Sequence, residues 1–277
     1  MDIPARMLEP TQIAPDTFVI RQLFGEGLNP VAMHVNSMVI TGAEPVIVDC
    51  GPAVTRQAWL DTVFGIVDPS DVRWIFLSHD DIDHTGNLPQ VLDLCPQATL
   101  VTNWFSMERM AADYQLPLDR MRWVNGGERF RAGDRDLVAV VPPTFDSPTT
   151  RGLFDTRTGV YWAADSFVVP VTHEVTSIGE LDPGFFRQAF LDGNRMLSPW
   201  HQWMDPAKYV RHLGDVQAIG ATAVASAHAP TYRDGEVDSA FRLLQELPYL
   251  PEVQWPAQSD LDAMLATLTP PPLSEAA

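Results

Sequence analysis

Cysteine is almost absent: the 277 residues include two, Cys50 and Cys95. So few exclude a disulfide framework and a cysteine-rich zinc or iron–sulfur site, and leave two buried, reduced thiols as the expectation. Basic residues are scarce too. Eighteen Lys and Arg stand against 36 Asp and Glu, for a net charge of −18. Such a surface repels nucleic acid and anionic lipid, so neither is an expected partner. Long apolar runs are also missing. Nothing approaches the roughly 20 residues that span a bilayer. The first residues, MDIPARMLEPTQ, carry no basic segment followed by an apolar one, as a secretory signal would. The expected compartment is the cytoplasm.

What is present suits one sizeable core: 45% of the residues are hydrophobic and 19% charged. Short β-branched runs at 17–23, 35–41 and 45–49 read as strands between Gly, Pro and Asn. Apolar residues at helical spacing follow over 53–67, then a buried strand at 73–78 and a helix at 88–95. A similar set comes next: strands at 98–102, 120–124 and 159–164, with RFRAG and DLVAVVPP also extended, and a helix over 104–114. The stretch 181–216 is helical and aromatic, 222–228 a last buried strand and 238–247 a last core helix. Residues 1–16 read as an irregular lead-in, 17–247 as one domain, and 248–277 as a tail. That tail holds one short helix N-capped by Ser259, and its end is expected to be disordered. Two similar halves suit two sheets packed face to face with helices outside, and loops at one sheet edge carrying the function.

The chemistry concentrates in His79-Asp80-Asp81-Ile82-Asp83-His84, directly after the strand at 73–78. In an extended loop, side chains two apart point the same way, so His79 and Asp81 can share one metal ion. Asp83 and His84 stand where the chain turns into a helix and can face a second ion. Thr85-Gly86-Asn87 supplies small residues for that turn. Imidazole and carboxylate together suit zinc, iron or manganese.

This string resembles the signature of the metallo-β-lactamase superfamily, His-x-His-x-Asp-His after a strand. With an acid, Asp81, in place of the second histidine, it looks nearer the flavodiiron and oxygen-binding diiron branch. The resemblance runs over about residues 17–245 and implies an α/β fold, a four-layer αββα sandwich of the metallo-β-lactamase type. It also implies further residues. Asp49, ending PVIVD, matches the acid that braces the metal loop. Asp165 in YWAADSF matches the carboxylate bridging both metals, and His228 in ASAHAP matches a ligand of the second. The family's third histidine for the first metal has no counterpart here. Asp146, within Pro142–Pro148, lies where that ligand would fall and can coordinate through oxygen. The implied metal ligands are thus His79, Asp81, Asp83, His84, Asp146, Asp165 and His228, with Asp83 and Asp165 closest to catalysis. His34, His173, His201 and His212 have no family assignment and are expected to be structural.

The implied cofactor is two iron ions, with zinc or manganese as alternatives, because anionic oxygen ligands favour iron and manganese. Three functions follow. The first is a non-haem diiron oxidoreductase that binds and reduces or activates dioxygen or nitric oxide, fed by an electron-donor protein, a neighbouring subunit of a homodimer, or the substrate itself. The second is a hydrolase of an ester, thioester, lactone or phosphoester, in which the metals acidify a bridging water and Asp83 orients it. The third is a non-catalytic oxygen sensor. The tryptophan-rich segment 199–204, with Trp104 and Phe105, is the expected pocket wall for a small-molecule substrate.

Overall fold

A computed structural model describes residues 3–27 and 30–268. The expected disordered end of the tail lies outside the described residues.

Alternation along the strands builds the architecture. In Ser37–Ile40 and Val46–Val48, the side chains of Met38, Ile40, Val46 and Val48 enter one core, while Val39 and Ile47 enter another. In Val160–Trp162 and Ala223–Ala225, Val160, Trp162, Ala223 and Ala225 join that first core, and Tyr161 and Val224 a third. Strands buried on both faces need a cover on each side, and three separate cores supply it. The middle core lies between two sheets. One outer core packs the helices Arg56–Phe64 and Leu88–Leu94 on the first sheet, and the other packs Pro183–Leu197, Pro206–Gln217 and Gly235–Leu244 on the second. The result is the expected four-layer αββα sandwich.

The first sheet has seven strands, in spatial order Met121–Trp123, Thr99–Thr102, Trp74–Phe76, Val46–Val48, Ser37–Ile40, Thr17–Ile20 and Thr11–Ala14. Val46–Val48 pairs in parallel with Trp74–Phe76, which pairs in parallel with Thr99–Thr102. The second has six: Arg129–Ala132, Arg135–Val140, Gly152–Asp155, Val160–Trp162, Ala223–Ala225 and Tyr232–Arg233. Within it, Val160–Trp162 and Ala223–Ala225 are parallel. Chain segments therefore leave both sheets at one shared edge, the place where function collects.

Three expectations change. Residues 1–16 are not irregular throughout: Ala5–Met7 pairs with Gln22–Phe24 in a small third sheet, and Thr11–Ala14 pairs with Thr17–Ile20. Gly152–Asp155 is a full strand of the second sheet, although no strand was expected there. The tail helix spans Gln258–Leu268, so Ser259 lies inside it and is not its cap. Among the described residues, no helix is long and apolar enough to cross a membrane.

At the edge away from the shared exit, a buried cation joins the sheets. Arg135 is 2% exposed and gives Nη1 to Asp155 at 2.6 Å and Nη2 to Asp16, in the first sheet's hairpin, at 3.0 Å. Gly42 makes room for it, since a Cβ there would lie 2.6 Å from Arg135 Nε. Removing one partner of a buried pair strands the other charge. Arg135→Leu is thus expected to destabilise the protein by about 3 kcal/mol, measured as a lower urea midpoint at unchanged slope. A midpoint equal to wild type would contradict this account of the clamp.

Candidate metal centre

The first site element is an acid held in an unusual backbone. Asp49 follows the strand Val46–Val48 at φ 59°, a conformation that non-glycine residues seldom adopt. Its buried carboxylate accepts four hydrogen bonds: from Ser78 N at 2.7 Å, Ser78 Oγ at 2.8 Å, Trp162 Nε1 at 3.0 Å and His84 Nδ1 at 3.0 Å. Trp162 belongs to the opposite sheet. The acid thus ties both sheets to the loop that follows Trp74–Phe76.

That loop turns into a single helical turn, Ile82–Thr85, with His84 N and Thr85 N both donating to Asp81 O at 3.0 Å. Gly86 closes the turn against the neighbouring chain. A Cβ there would stand 2.4 Å from Ala53 N, so close approach, rather than a left-handed backbone, requires the glycine. Cys50 N donates to His84 O at 2.6 Å and fixes the loop from the other side.

Asp165 is presented in a similar way. Ala164 before it has φ 52°, and Phe167 after it has φ 66°. Ala227 N and Ser226 Oγ hold Ala164 O at 2.8 and 3.2 Å, and Asn194 Oδ1 accepts from Phe167 N at 3.1 Å. Strained residues persist only where their surroundings hold them, and they cluster at functional sites.

The seven side chains singled out from the sequence come together. Asp165 Oδ2 lies 3.3 Å from His79 Nε2, while its Oδ1 lies 3.0 Å from His84 Nε2 and 3.3 Å from His228 Nε2. One carboxylate thus faces two groups of donors. His79, Asp81, Asp146 and Asp165 form one group with ligand atoms within 4.8 Å of one another, and Asp83, His84 and His228 form another. Asp146 stands with the first group. Its loop is drawn toward the metal loop by Asp80, whose Oδ1 accepts from Thr149 Oγ1 at 2.7 Å and whose Oδ2 pairs with Arg109. Sequence reading passed over Asp80, Thr149, Ser78 and Trp162 as site residues. No local signal marks them, since their roles depend on which strand ends meet.

The donors suit a pair of cations. Each imidazole has its outer nitrogen engaged: His79 Nδ1 with Ser78 Oγ at 2.9 Å, His84 Nδ1 with Asp49, and His228 Nδ1 with His34 O at 2.8 Å. This fixes the rings with Nε2 inward, as metal-ligating histidines require. His79 Nε2, His84 Nε2 and Asp165 Oδ1 are buried with no hydrogen bond of proper geometry. Buried polar atoms are normally satisfied, so convergent unsatisfied ones fit a missing positive partner.

The electrostatics agree. Burial alone would raise the Asp165 carboxyl, but the imidazoles of His79, His84 and His228 hold it well below the usual carboxylate range. Burial alone would lower His84, yet Asp83, Asp165 and Asp49 raise it well above the ordinary value. His79 rises to about 10, its burial and the nearby His84 outweighed by Asp165 and Asp81. Asp146 is exposed as a residue, but its carboxyl end is enclosed; burial, then the charge of Asp165, pushes it up. Cations would replace the protons that these imidazoles otherwise hold.

The other histidines stay outside both groups. His201 is buried between the carbonyls of Ser198 and Leu250, at 3.0 and 3.3 Å. His212 Nε2 meets Pro142 O at 3.2 Å, and His173 Nδ1 meets Thr172 Oγ1 at 2.9 Å. His34 is fully buried and lowered to about 3 by burial, and it contributes its carbonyl. Of the expected aromatic wall, Trp200 packs on Phe145, next to Asp146, and donates Nε1 to the Phe145 carbonyl at 3.2 Å, while Trp203 is 81% exposed. Two cavities do touch the metal loop. One of about 630 Å³ has apolar walls from Phe24, Val35, Pro52, Val54, Ile82 and Tyr114 with Asp83 at its rim. The other, of about 510 Å³, is acidic, lined by Asp80, Asp81, Asp83, Asp113 and Arg109. Trp104 and Phe105 line neither.

A raised imidazole stabilises the fold while it is protonated. In chelator-treated protein, the His79 contribution is complete below pH 6.5, the ordinary imidazole value, and is lost as pH climbs through about 10. The melting temperature is therefore expected to fall over that window, and less steeply in His79→Gln. Identical profiles for the two proteins would contradict the assignment.

A family model described as ODP family beta lactamase matches residues 33–221. Diflavin flavoprotein A 1 of Synechocystis is 29% identical over 133 residues, covering 48% of this chain and 23% of that protein. Rubredoxin-oxygen oxidoreductase of Megalodesulfovibrio gigas is 23% identical over 118 residues, or 43% of this chain and 29% of that one. The chain spans 23% to 37% of the length of the curated relatives it matches. In fold it is similar to the flavodiiron protein of Giardia intestinalis, with a TM-score of 0.75 at 14% identity over 88% of this chain and 60% of that one. With the family model matched over more than half its length, the chain belongs to the ODP family of beta lactamases within the metallo-β-lactamase superfamily, and flavodiiron proteins are among its homologues.

Proposed function

We propose that this chain is a binuclear non-haem iron oxidoreductase whose substrate is dioxygen or nitric oxide. The observation that carries the reading is the divided Asp165 carboxylate, one oxygen toward His79 and the other toward His84 and His228. His79, Asp81, Asp146 and Asp165 would hold one iron, and Asp83, His84 and His228, with Asp165 shared, the other. When bound, the iron pair supplies reversible one-electron chemistry and open positions for a diatomic ligand. Four carboxylates against three imidazoles favour iron or manganese more than an all-imidazole set would, and they offset the charge of two divalent ions.

The chain's own residues do the rest. Asp49, Ser78 and the His34 carbonyl keep the three rings aimed inward, so that ligand geometry survives a change of charge at the centre. Cys50 and Cys95 are not electron stores: burial pushes the Cys50 thiol well up and the Cys95 thiol up to about 11, and both are free and buried. Electrons must therefore arrive from a donor. The homologues' names, diflavin flavoprotein and rubredoxin-oxygen oxidoreductase, support a flavin- or rubredoxin-bearing donor protein. The mouth lined by Asp80, Asp81, Asp83, Asp113 and Arg109 leaves a neutral gas unhindered.

Protein purified without added metal is expected to contain iron and to show an absorption band that changes on admitting air. With a reduced donor it should consume dioxygen or nitric oxide, and Asp165→Ala should abolish both the band and the consumption. Two zinc ions, no spectral change and ester hydrolysis would replace this reading with the hydrolase.

A further inference from the structure

The two groups of donors that meet at Asp165 are not alike. On the His79 side, one imidazole stands with the carboxylates of Asp81, Asp146 and Asp165. On the other side, the imidazoles of His84 and His228 stand with Asp83 and the second oxygen of Asp165. The first set is thus one nitrogen with three carboxylates, and the second two nitrogens with two carboxylates. The sets also differ in how firmly they are built. His84 is buried with its ring tied to Asp49, and His228 is tied to the His34 carbonyl. On the His79 side, Asp81 has a side chain 39% exposed, and Asp146 is an exposed residue on a loop strapped through Thr149 to Asp80.

We infer that the chain has two unlike metal subsites: an imidazole-rich one at His84 and His228 that fills first and discriminates strongly for zinc over manganese, and an oxygen-rich one at Asp81 and Asp146 that fills second and discriminates less. The inference rests on the binuclear reading above and specifies how strongly each half selects among divalent ions. Intrinsic affinity rises from manganese through iron to zinc at any such site, but imidazole adds to zinc's advantage while carboxylate favours manganese. Exchanging one imidazole for a carboxylate on one side only therefore separates the two preferences. Asp146 creates the difference, because a histidine there would give both sides two imidazoles.

Mixed-metal loading tests this without reference to turnover. The full chain is stripped with chelator, exposed without oxygen to Zn(II) with a graded excess of Mn(II), desalted, and analysed for both metals, with an electron paramagnetic resonance spectrum of the bound manganese. As the manganese excess rises, the wild-type chain is expected to pass through a form that retains one manganese and one zinc, the manganese signal being that of an isolated ion, at ratios where Asp146→His still holds zinc alone. Titrated with zinc alone, it should bind in two steps separated by on the order of tenfold or more, the range that changes around a metal ligand produce. Asp146→His should retain two zincs, with the weaker step moved toward the stronger. Two zincs in wild type throughout, or a coupled manganese pair with no mixed form before it, would overturn the inference while leaving the binuclear reading intact. No retained metal in wild type would remove the binuclear reading, and the inference with it. The wild-type result stands even if Asp146→His fails to fold.

Discussion

A single buried carboxylate organises the working edge of this protein. Asp49 receives the Ser78 amide and hydroxyl, the indole N–H of Trp162 and the outer nitrogen of His84. Four donors satisfy an acid that would otherwise be costly to bury. The same contacts set the distance between the sheets, the exit of the metal loop and the direction of a proposed ligand. Packing and chemistry therefore share one residue. A shift in the spacing of the sheets would be felt first at His84.

Around that anchor the fold solves an electrostatic problem. The chain is strongly acidic, and the metal loop alone places Asp80, Asp81 and Asp83 within four residues. Like charges so close repel unless a partner is given to each. Arg109 and Thr149 take Asp80, while Asp81, Asp83 and Asp165 face imidazoles. Imidazoles raised by these acids and an acid lowered by these imidazoles describe a cluster adapted to positive charge. Protons can meet that need, and a pair of cations meets it with better geometry.

Much of this was legible in the amino-acid order. The metal loop is contiguous, so its donors could be named directly, and greasy strands ending in Asp49, Asp165 and His228 marked where loops would meet. The layered fold followed from runs such as VIV and VYW, which are apolar on both faces. The remainder depends on register. That Trp162 reaches across to Asp49, or Thr149 to Asp80, is decided by how two sheets stack, and nothing local announces it. Gly152–Asp155 is four residues long and opens on a glycine, and the polar strand Thr11–Ala14 is defined by its partner rather than by its own residues. The Trp-rich stretch misled for another reason: apolar rings serve a core as readily as a pocket, and Trp200 packs on Phe145.

The account turns on two ions sharing Asp165. X-ray absorption at the metal edge, on protein loaded with iron, addresses this directly. A metal–metal vector at roughly 3.5–4 Å, the separation of carboxylate-bridged pairs, is the predicted result. It should vanish in Asp165→Ala. Isolated ions in the wild-type chain, with no such vector, would contradict the account.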